Sequence, residues 1–270
     1  MCGRRNCSVK CFFFNWNKIL AFFRLRPWII IFVLLFFIAG LGFYIRMQQL
    51  PFLFDPTLGE YVPLDPDAIG IFRYVQYVVD NGNLMSVDFM RYYPTGYAHL
   101  EEFSLLVHFI AAFYTFLHFF YPSVSVGYAD VVYPAYAFVL ALFFFFLLVQ
   151  KIFDWKVALL ASLFLAVSPL YLARTLVGVS DKEAMAMVFF FLTLYLFLCF
   201  ILEKRVLRSF FFVVLTSISA GILWLLWGGF VFAFFKKELL NISPIDFNAI
   251  KKCCDATYEH LKEDAPRTWV

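Results

Sequence analysis

Charged residues are scarce in this sequence. Asp, Glu, Lys and Arg together make up 15% of its 270 residues, whereas 63% of the residues are hydrophobic. A soluble domain of this length cannot bury so large an apolar surface, so the composition excludes the ordinary soluble classes. The 39 Phe and 15 Tyr residues are spread along the apolar runs, as is typical of helices that face lipid. The sequence therefore predicts an all-α, polytopic membrane protein, and we expect no nucleic-acid partner.

The sequence also lacks the residue spacings of zinc and redox sites. The six cysteines are Cys2, Cys7, Cys11, Cys199, Cys253 and Cys254, and no two of them form a CxxC pair or a zinc knuckle. The four histidines are His99, His108, His118 and His260, and they show no metal-ligand spacing either. We interpret the cysteines as unpaired thiols on the reducing side of the membrane.

No small-residue cleavage site follows the first apolar run, although basic residues precede it. We therefore interpret this run as a retained signal anchor. Because a transmembrane helix needs about 20 mainly apolar residues, the sequence offers several candidate spans. They are 28–46, 103–121, 128–150, 156–173, 184–202 and 209–235. The sequence thus divides into a basic cytoplasmic N-terminus at 1–27, a transmembrane domain at 28–235 and a polar tail at 236–270.

The positions of Lys and Arg predict which of these runs cross the bilayer. The N-terminus and the connections 151–156 and 203–208 are basic, and the positive-inside rule places all three on the cytoplasmic side. This requires that 103–121 does not cross but lies along the membrane surface. The sequence then predicts about five spans and a long external first loop at 47–127. The second external loop at 174–182 shares that face, so we expect a multi-pass protein of the cell membrane with an external active site.

Each of these two external loops contains a pair of acidic residues. In VPLDPDAIGIFRY, Asp67 lies two residues after another Asp; in ARTLVGVSDKEAM, Asp181 and Glu183 are two residues apart and Arg174 lies seven residues before Asp181. Carboxylates are hard oxygen ligands for Mg²⁺ and Mn²⁺. We therefore expect Asp67, Asp181 and Glu183 to hold one divalent ion. In the alternative, structural interpretation, the second pair only begins the 184–202 helix, whose dipole favours negative charge at that end.

These stretches, together with WLLWGGF at 224–230, resemble the catalytic subunit of the oligosaccharyltransferases, and the archaeal members most. In that family an Asp of the first external loop stands six residues before an Arg, as Asp67 and Arg73 do. The family's second external loop has an Arg-Thr pair, a Gly and a D-x-D or D-x-E pair. The matching residues are Arg174, Thr175, Gly178, Asp181 and Glu183. RYYPTG at 91–96 resembles the family's Tyr-Pro-x-Gly stretch, and the resemblance covers about 20–235.

The resemblance implies a GT-C-type glycosyltransferase that moves a lipid-linked oligosaccharide onto Asn in protein N-glycosylation. The implied catalytic residues are Asp67, Arg174, Asp181 and Glu183, with Mn²⁺ or Mg²⁺ held by the three carboxylates. The implied partners are an oligosaccharide on a dolichyl or polyprenyl phosphate and an acceptor polypeptide with an Asn-X-Ser/Thr sequon. In an inverting displacement, the Asn amide would attack the first sugar and the lipid phosphate would leave.

The WWDYG motif, with which the family reads the Ser or Thr of the sequon, does not occur in this sequence. We therefore expect the sequence to correspond to the N-terminal part of the family, to need a separate C-terminal half, and not to transfer glycan by itself. Two alternatives remain open. One is another polyprenyl-phosphate-sugar-dependent membrane glycosyltransferase, which would not be expected to carry the second acidic pair. The other is an inactive remnant.

Overall fold

The computed structural model describes residues 27–98 and 100–228. Its helices are α1 (Pro27–Met47), α2 (Pro66–Asn81), α3 (Glu101–Phe120), α4 (Val126–Ile152), α5 (Trp155–Val167), α6 (Pro169–Ala173), α7 (Lys182–Leu202) and α8 (Val206–Leu226). A 3-10 turn at Leu50–Phe52 leads into an antiparallel hairpin of β1 (Phe54–Asp55) and β2 (Glu60–Tyr61). The predicted helical class is confirmed, apart from this short hairpin. The polar tail and all but the last residue of the basic N-terminus lie outside the described residues.

Five segments of the described chain are long and apolar enough to cross a membrane, which agrees with the predicted number. They are Trp28–Phe52, Phe103–Phe120, Val126–Ile152, Lys182–Leu202 and Val206–Leu226. This set includes α3 and omits the predicted span at 156–173. That span is interrupted because α5 ends at Val167 and α6 begins at Pro169, after Ser168 with a ψ of 122°. Proline pushes the residue before it out of the helical region and lacks an amide hydrogen of its own.

Helix α4 lies at the centre of the bundle and contacts α1, α3, α5 and α7. Its buried positions include the small residues Ala129, Ala135, Ala137 and Ala141. Small side chains let neighbouring helices approach closely, which is how helices associate inside a membrane. A buried hydrogen bond of 2.8 Å between the hydroxyls of Thr193 and Ser219 joins α7 to α8. These contacts hold the helix ends, and therefore the loops between them, in fixed relative positions.

The external loops predicted from the sequence lie at one end of this bundle, which we call the loop end. The end of α1 reaches the second loop, because Arg46 Nε donates a hydrogen bond of 2.8 Å to Thr175 Oγ1. The start of α4 reaches the same loop, since the Gly178 amide donates to the Val131 carbonyl at 2.9 Å. The connections from α4 to α5 and from α7 to α8 lie at the opposite end, and these carry the basic residues. This is the arrangement that the positive-inside rule requires if the loop end is external.

Both ends of α3 lie at the loop end. Near its start, Phe103 lines the same cavity as Asp181. Near its end, Leu117 packs against the buried cluster that contains Val131, in the second turn of α4. A helix whose two ends lie at the same end of a bundle does not have to cross it. The structure therefore agrees with the expectation that 103–121 lies along the membrane surface, although the segment is apolar enough to span.

Candidate functional site

The first and second loops are in contact at Gly178. The Leu64 amide donates a hydrogen bond to the Gly178 carbonyl, and the Gly178 amide donates to the Val131 carbonyl, both at 2.9 Å. Gly178 has a φ of +89°, which glycine adopts without the steric cost that other residues incur. A Cβ at this position would lie 2.7 Å from a methyl carbon of Leu53. Gly178 therefore permits the close approach through which α4 and the two loops are joined.

Asp181 is fixed in place by neighbours in the second loop and in α4. As the N-cap of α7, it accepts a hydrogen bond of 2.6 Å from the Lys182 amide through Oδ1. The Tyr133 hydroxyl donates to the Asp181 backbone carbonyl, and Ser180 Oγ donates to the Asp130 carbonyl at 2.7 Å. Asp181 is only 7% exposed. In the described part of the chain no donor reaches its Oδ2, so this oxygen is available to a ligand.

Asp67 lies in the first turn of α2 and shares a cavity with Asp181. It follows Leu64 by three residues, just as Asp181 follows Gly178 by three, so the hydrogen bond between Leu64 and Gly178 brings both acidic residues to one place. The cavity that they line has a volume of about 550 Å³. Asp67 is exposed, and among the described residues its carboxylate makes no hydrogen bond or ion pair.

Glu183 and Arg174 line a different cavity. The Arg174 Nε atom lies 3.0 Å from Glu183 Oε2, and both residues border a second cavity of about 370 Å³ together with Trp227. Asp181 caps α7 and Glu183 lies in its first turn, and two helical positions differ in direction by roughly 200°. The two acidic residues of the second loop therefore face different cavities. Within residues 27–98 and 100–228, no group of three His, Cys, Asp or Glu side chains is placed to hold a metal ion.

Arg46 supports the second loop from within the bundle, and the sequence patterns did not single it out. Its side chain is buried. Besides the bond to Thr175, its Nη1 donates to the carbonyls of Gly42 and Ala166 at 2.9 and 3.0 Å. Its guanidinium lies 3.4 Å from the ring centroid of Phe138. The available signal was a charged residue at the end of an apolar run, since such charges are rarely without a task.

A buried carboxylate, Asp88, organises the rest of the first loop. It forms an ion pair with Arg73 and accepts hydrogen bonds from the Tyr74 hydroxyl at 2.9 Å and the Met90 amide at 3.0 Å. Its backbone exchanges two hydrogen bonds of 2.9 Å with Tyr97. Burial alone would raise the pKa of Asp88, but the hydrogen bonds from Tyr74 and Met90 and the charge of Arg73 together hold this pKa below its usual value.

Asp130 is the other charged residue that the sequence patterns missed. It is fully buried in the second turn of α4, and neither of its carboxylate oxygens has a hydrogen-bond partner among the described residues. Its backbone carbonyl, in contrast, accepts the hydrogen bond from Ser180 that fixes the second loop. A single Asp inside an apolar run was the signal that could have found it.

The fold and the site define the class of this protein. It is a polytopic helical membrane protein in which two loops at one end of the bundle place Asp67 and Asp181 on a common cavity. The chain belongs to the family described as oligosaccharyl transferase STT3, N-terminal, which matches residues 29–240. The resemblance seen in the sequence is thereby confirmed. No match was found among curated protein sequences.

Solved structures of an oligosaccharyltransferase from Archaeoglobus fulgidus share this fold. One, in complex with zinc and sulfate, has 20% sequence identity and a TM-score of 0.63, and covers 74% of this chain and 25% of its own. A second, tethered to an acceptor peptide containing the NVT sequon, has 21% identity and a TM-score of 0.63, and covers 79% of this chain and 26% of its own. A third, named AglB and bound to an inhibitory peptide and a dolichol-phosphate, has 19% identity and a TM-score of 0.62, and covers 78% of this chain and 25% of its own. The chain thus spans about a quarter of the length of these relatives.

Proposed function

We propose that this chain is the metal-binding and donor-binding part of an oligosaccharyltransferase. In this proposal it serves the transfer of a lipid-linked oligosaccharide to the Asn of Asn-X-Ser/Thr sequons, at the external face of the cell membrane. The observation that carries the proposal is the junction at Gly178, because it brings Asp67 and Asp181 to one cavity from loops about 110 residues apart in sequence. Membership of the family supports the same function.

The carboxylates of this cavity fit a divalent cation of the Mg²⁺ or Mn²⁺ type. Such ions are usually held by one or two carboxylates, with water and substrate phosphates completing the coordination. Asp67 is free of protein partners among the described residues and Asp181 keeps one oxygen free, so both can act as ligands. When bound, the ion supplies a Lewis acid that stabilises the charge on the departing phosphate. A third ligand from Glu183 is not required for this mode of binding.

Glu183 and Arg174 have a different role in the proposal. Their cavity lies on the other side of the second loop from the one that Asp67 lines. Glu183 accepts a hydrogen bond from the amide of the acceptor Asn, which orients the nitrogen toward the sugar. Arg174 holds Glu183 in place through their ion pair and offsets the negative charge of the second loop. The donor and the acceptor thus reach the second loop from two sides.

The ligands named for the solved relatives support the choice of substrates. The Archaeoglobus fulgidus enzyme has been crystallised with an acceptor peptide that contains a sequon, and in complex with a dolichol-phosphate. It has also been crystallised with zinc, which supports a divalent metal without deciding between Mg²⁺ and Mn²⁺. Since this chain spans about a quarter of those proteins, we propose that sequon recognition is supplied by a separate C-terminal half.

A reconstituted transfer assay tests this function. The purified chain is incubated with Mn²⁺, a lipid-linked oligosaccharide and a fluorescent Asn-X-Thr peptide, alone and with a polypeptide that carries the C-terminal part of a solved relative. We expect glycopeptide only in the second reaction, and its loss in Asp67→Asn and in Asp181→Asn. Asp65→Asn is the matched control, because Asp65 makes no side-chain capping bond. Transfer that persists in both site variants contradicts the proposal. Transfer of a single sugar to another acceptor favours a different glycosyltransferase, and Mn²⁺ binding without any transfer favours a remnant.

A further inference from the structure

The cavity lined by Asp67 and Asp181 also has a cationic wall. Arg73, Arg91 and Lys182 line it opposite the two carboxylates. The charge of Arg73 is neutralised, because Arg73 forms an ion pair with the buried Asp88. Lys182 Nζ lies 3.7 Å from Asp181 Oδ1 and is therefore shared with that carboxylate. Among the described residues, Arg91 lies within 4.0 Å of no carboxylate oxygen, so it keeps an uncompensated positive charge on this wall.

The guanidinium of Arg91 is held in a fixed orientation. Its Nη1 donates a hydrogen bond of 3.2 Å to the Tyr74 hydroxyl, and its plane lies over the ring of Tyr97, 4.6 Å from the ring centroid. The same Tyr74 hydroxyl donates to Asp88, so the position of Arg91 is tied to the buried carboxylate. The hydrogen bond from Arg91 to Tyr74 raises the pKa of Arg91, which remains charged. Few of its donors are used by the protein, and the remaining ones are available to a ligand.

We propose that Arg91 is a binding residue for a phosphate group in this cavity. The proposal rests on the function proposed above, and it assigns the recognition of the donor's phosphate to a residue of the first loop. A guanidinium presents several N–H groups in a planar fork that matches the oxygens of a phosphate. The aromatic rings beneath Arg91 fix the fork in advance, which lowers the entropy cost of binding.

The charges of the cavity match a phosphate that carries a divalent cation. With Arg73 paired to Asp88, the remaining charged groups are two carboxylates, Asp67 and Asp181, and two cations, Arg91 and Lys182. A divalent ion on the carboxylates would make the cavity positive by two charges. A phosphate bound between this ion and Arg91 would restore the balance. We therefore expect the cation and the phosphate to strengthen each other's binding, and this coupling is reciprocal by thermodynamic necessity.

Equilibrium binding to the full chain in detergent tests this proposal. The probes are radiolabelled inorganic pyrophosphate and farnesyl phosphate, with and without Mg²⁺. Hydrogen bonds to charged groups contribute about 1.5–3 kcal/mol, so Arg91→Gln should weaken phosphate binding at least tenfold. Arg91→Lys should recover only part of this loss, because it restores the charge but not the fork. The matched control is Arg208→Gln, an exposed arginine at the opposite end of the bundle, which should bind both probes as the unmodified chain does.

The outcomes separate this inference from the proposed function. Binding of both probes with the same dependence on Arg91 identifies the phosphate itself as the recognised group, whereas binding of farnesyl phosphate alone identifies a lipid phosphate. Equal binding by Arg91→Gln and the unmodified chain overturns the inference, as does the absence of binding by either probe. Mn²⁺ affinity, measured on the same samples, should be unchanged in Arg91→Gln when no phosphate is present. Loss of Mn²⁺ binding in the unmodified chain would count against the proposed metal site instead.

Discussion

Asp88 is held as a carboxylate inside the first loop by Arg73, Tyr74 and the Met90 amide. Because its pKa is lower in the folded state, its contribution to stability is complete above the unfolded value of about 3.9. That contribution is lost as the pH falls from there toward the folded value. We expect amide hydrogen exchange in residues 84–97, corrected for its intrinsic pH dependence, to show protection that declines below about pH 4. In Asp88→Asn this decline should be absent, and the same decline in both proteins would contradict the assignment.

Thr175 is the residue through which Arg46 holds the start of the second loop. Thr175→Val keeps the shape of the side chain but removes the acceptor of the buried Arg46 Nε. Leaving a buried donor unsatisfied costs about 1–3 kcal/mol, and we expect the free energy of unfolding in detergent to fall by that amount. Thr175→Ser keeps the hydroxyl and is the matched control. If the two variants unfold alike, the hydrogen bond from Arg46 does not support the loop.

Several residues could be predicted from the sequence, but their partners could not. The spacing of Asp67, Asp181 and Arg174 identified them, because acidic pairs beside apolar runs are uncommon. The expectation that Glu183 joins Asp67 and Asp181 at one ion did not anticipate that α7 begins at Lys182. A helical turn directs positions two apart to different sides, and this depends on where the helix starts.

The junction of the two loops with α4 depends on Gly178. Gly178→Ala places a Cβ 2.7 Å from Leu53 and also incurs the cost of a left-handed conformation, which is about 1–2 kcal/mol. Gly82→Ala separates these two effects, since Gly82 has a similar φ of +81° but no atom within 4 Å of the added Cβ. We expect the Leu64 amide to exchange faster in Gly178→Ala and at the normal rate in Gly82→Ala. Normal exchange in both would show that the junction tolerates a side chain.

The helices themselves followed from the apolar runs with small errors. The predicted 28–46 and 184–202 became Pro27–Met47 and Lys182–Leu202, because long apolar runs specify helices strongly. The predicted 156–173 failed as one element because Ser168 and Pro169 break the helix. The hairpin of β1 and β2 was not predicted, since two-residue strands leave no periodic pattern in a sequence.

The orientation of the whole chain gives a further prediction. All basic connections lie at the end of the bundle opposite the two loops, so we expect the loop end to be external. Single cysteines at Glu60, Ser125, Phe153 and Val206 test this in a background without the native cysteines. Glu60→Cys and Ser125→Cys should react with an impermeant reagent added outside, whereas Phe153→Cys and Val206→Cys should not. The reverse pattern would contradict the orientation, and protection of Ser125→Cys alone would indicate that α3 crosses the membrane.

Binding of Mn²⁺, followed by electron paramagnetic resonance, tests most directly whether Asp67 and Asp181 form one site. Asp67→Asn and Asp181→Asn should each weaken Mn²⁺ binding by about tenfold or more, since each removes a charged oxygen ligand. Because groups that hold one ion are coupled, the double variant should lose far less than the sum of the two free-energy changes. Asp65→Asn should bind Mn²⁺ as the unmodified chain does. Unchanged Mn²⁺ affinity in either single variant, or fully additive losses in the double variant, would contradict a shared site.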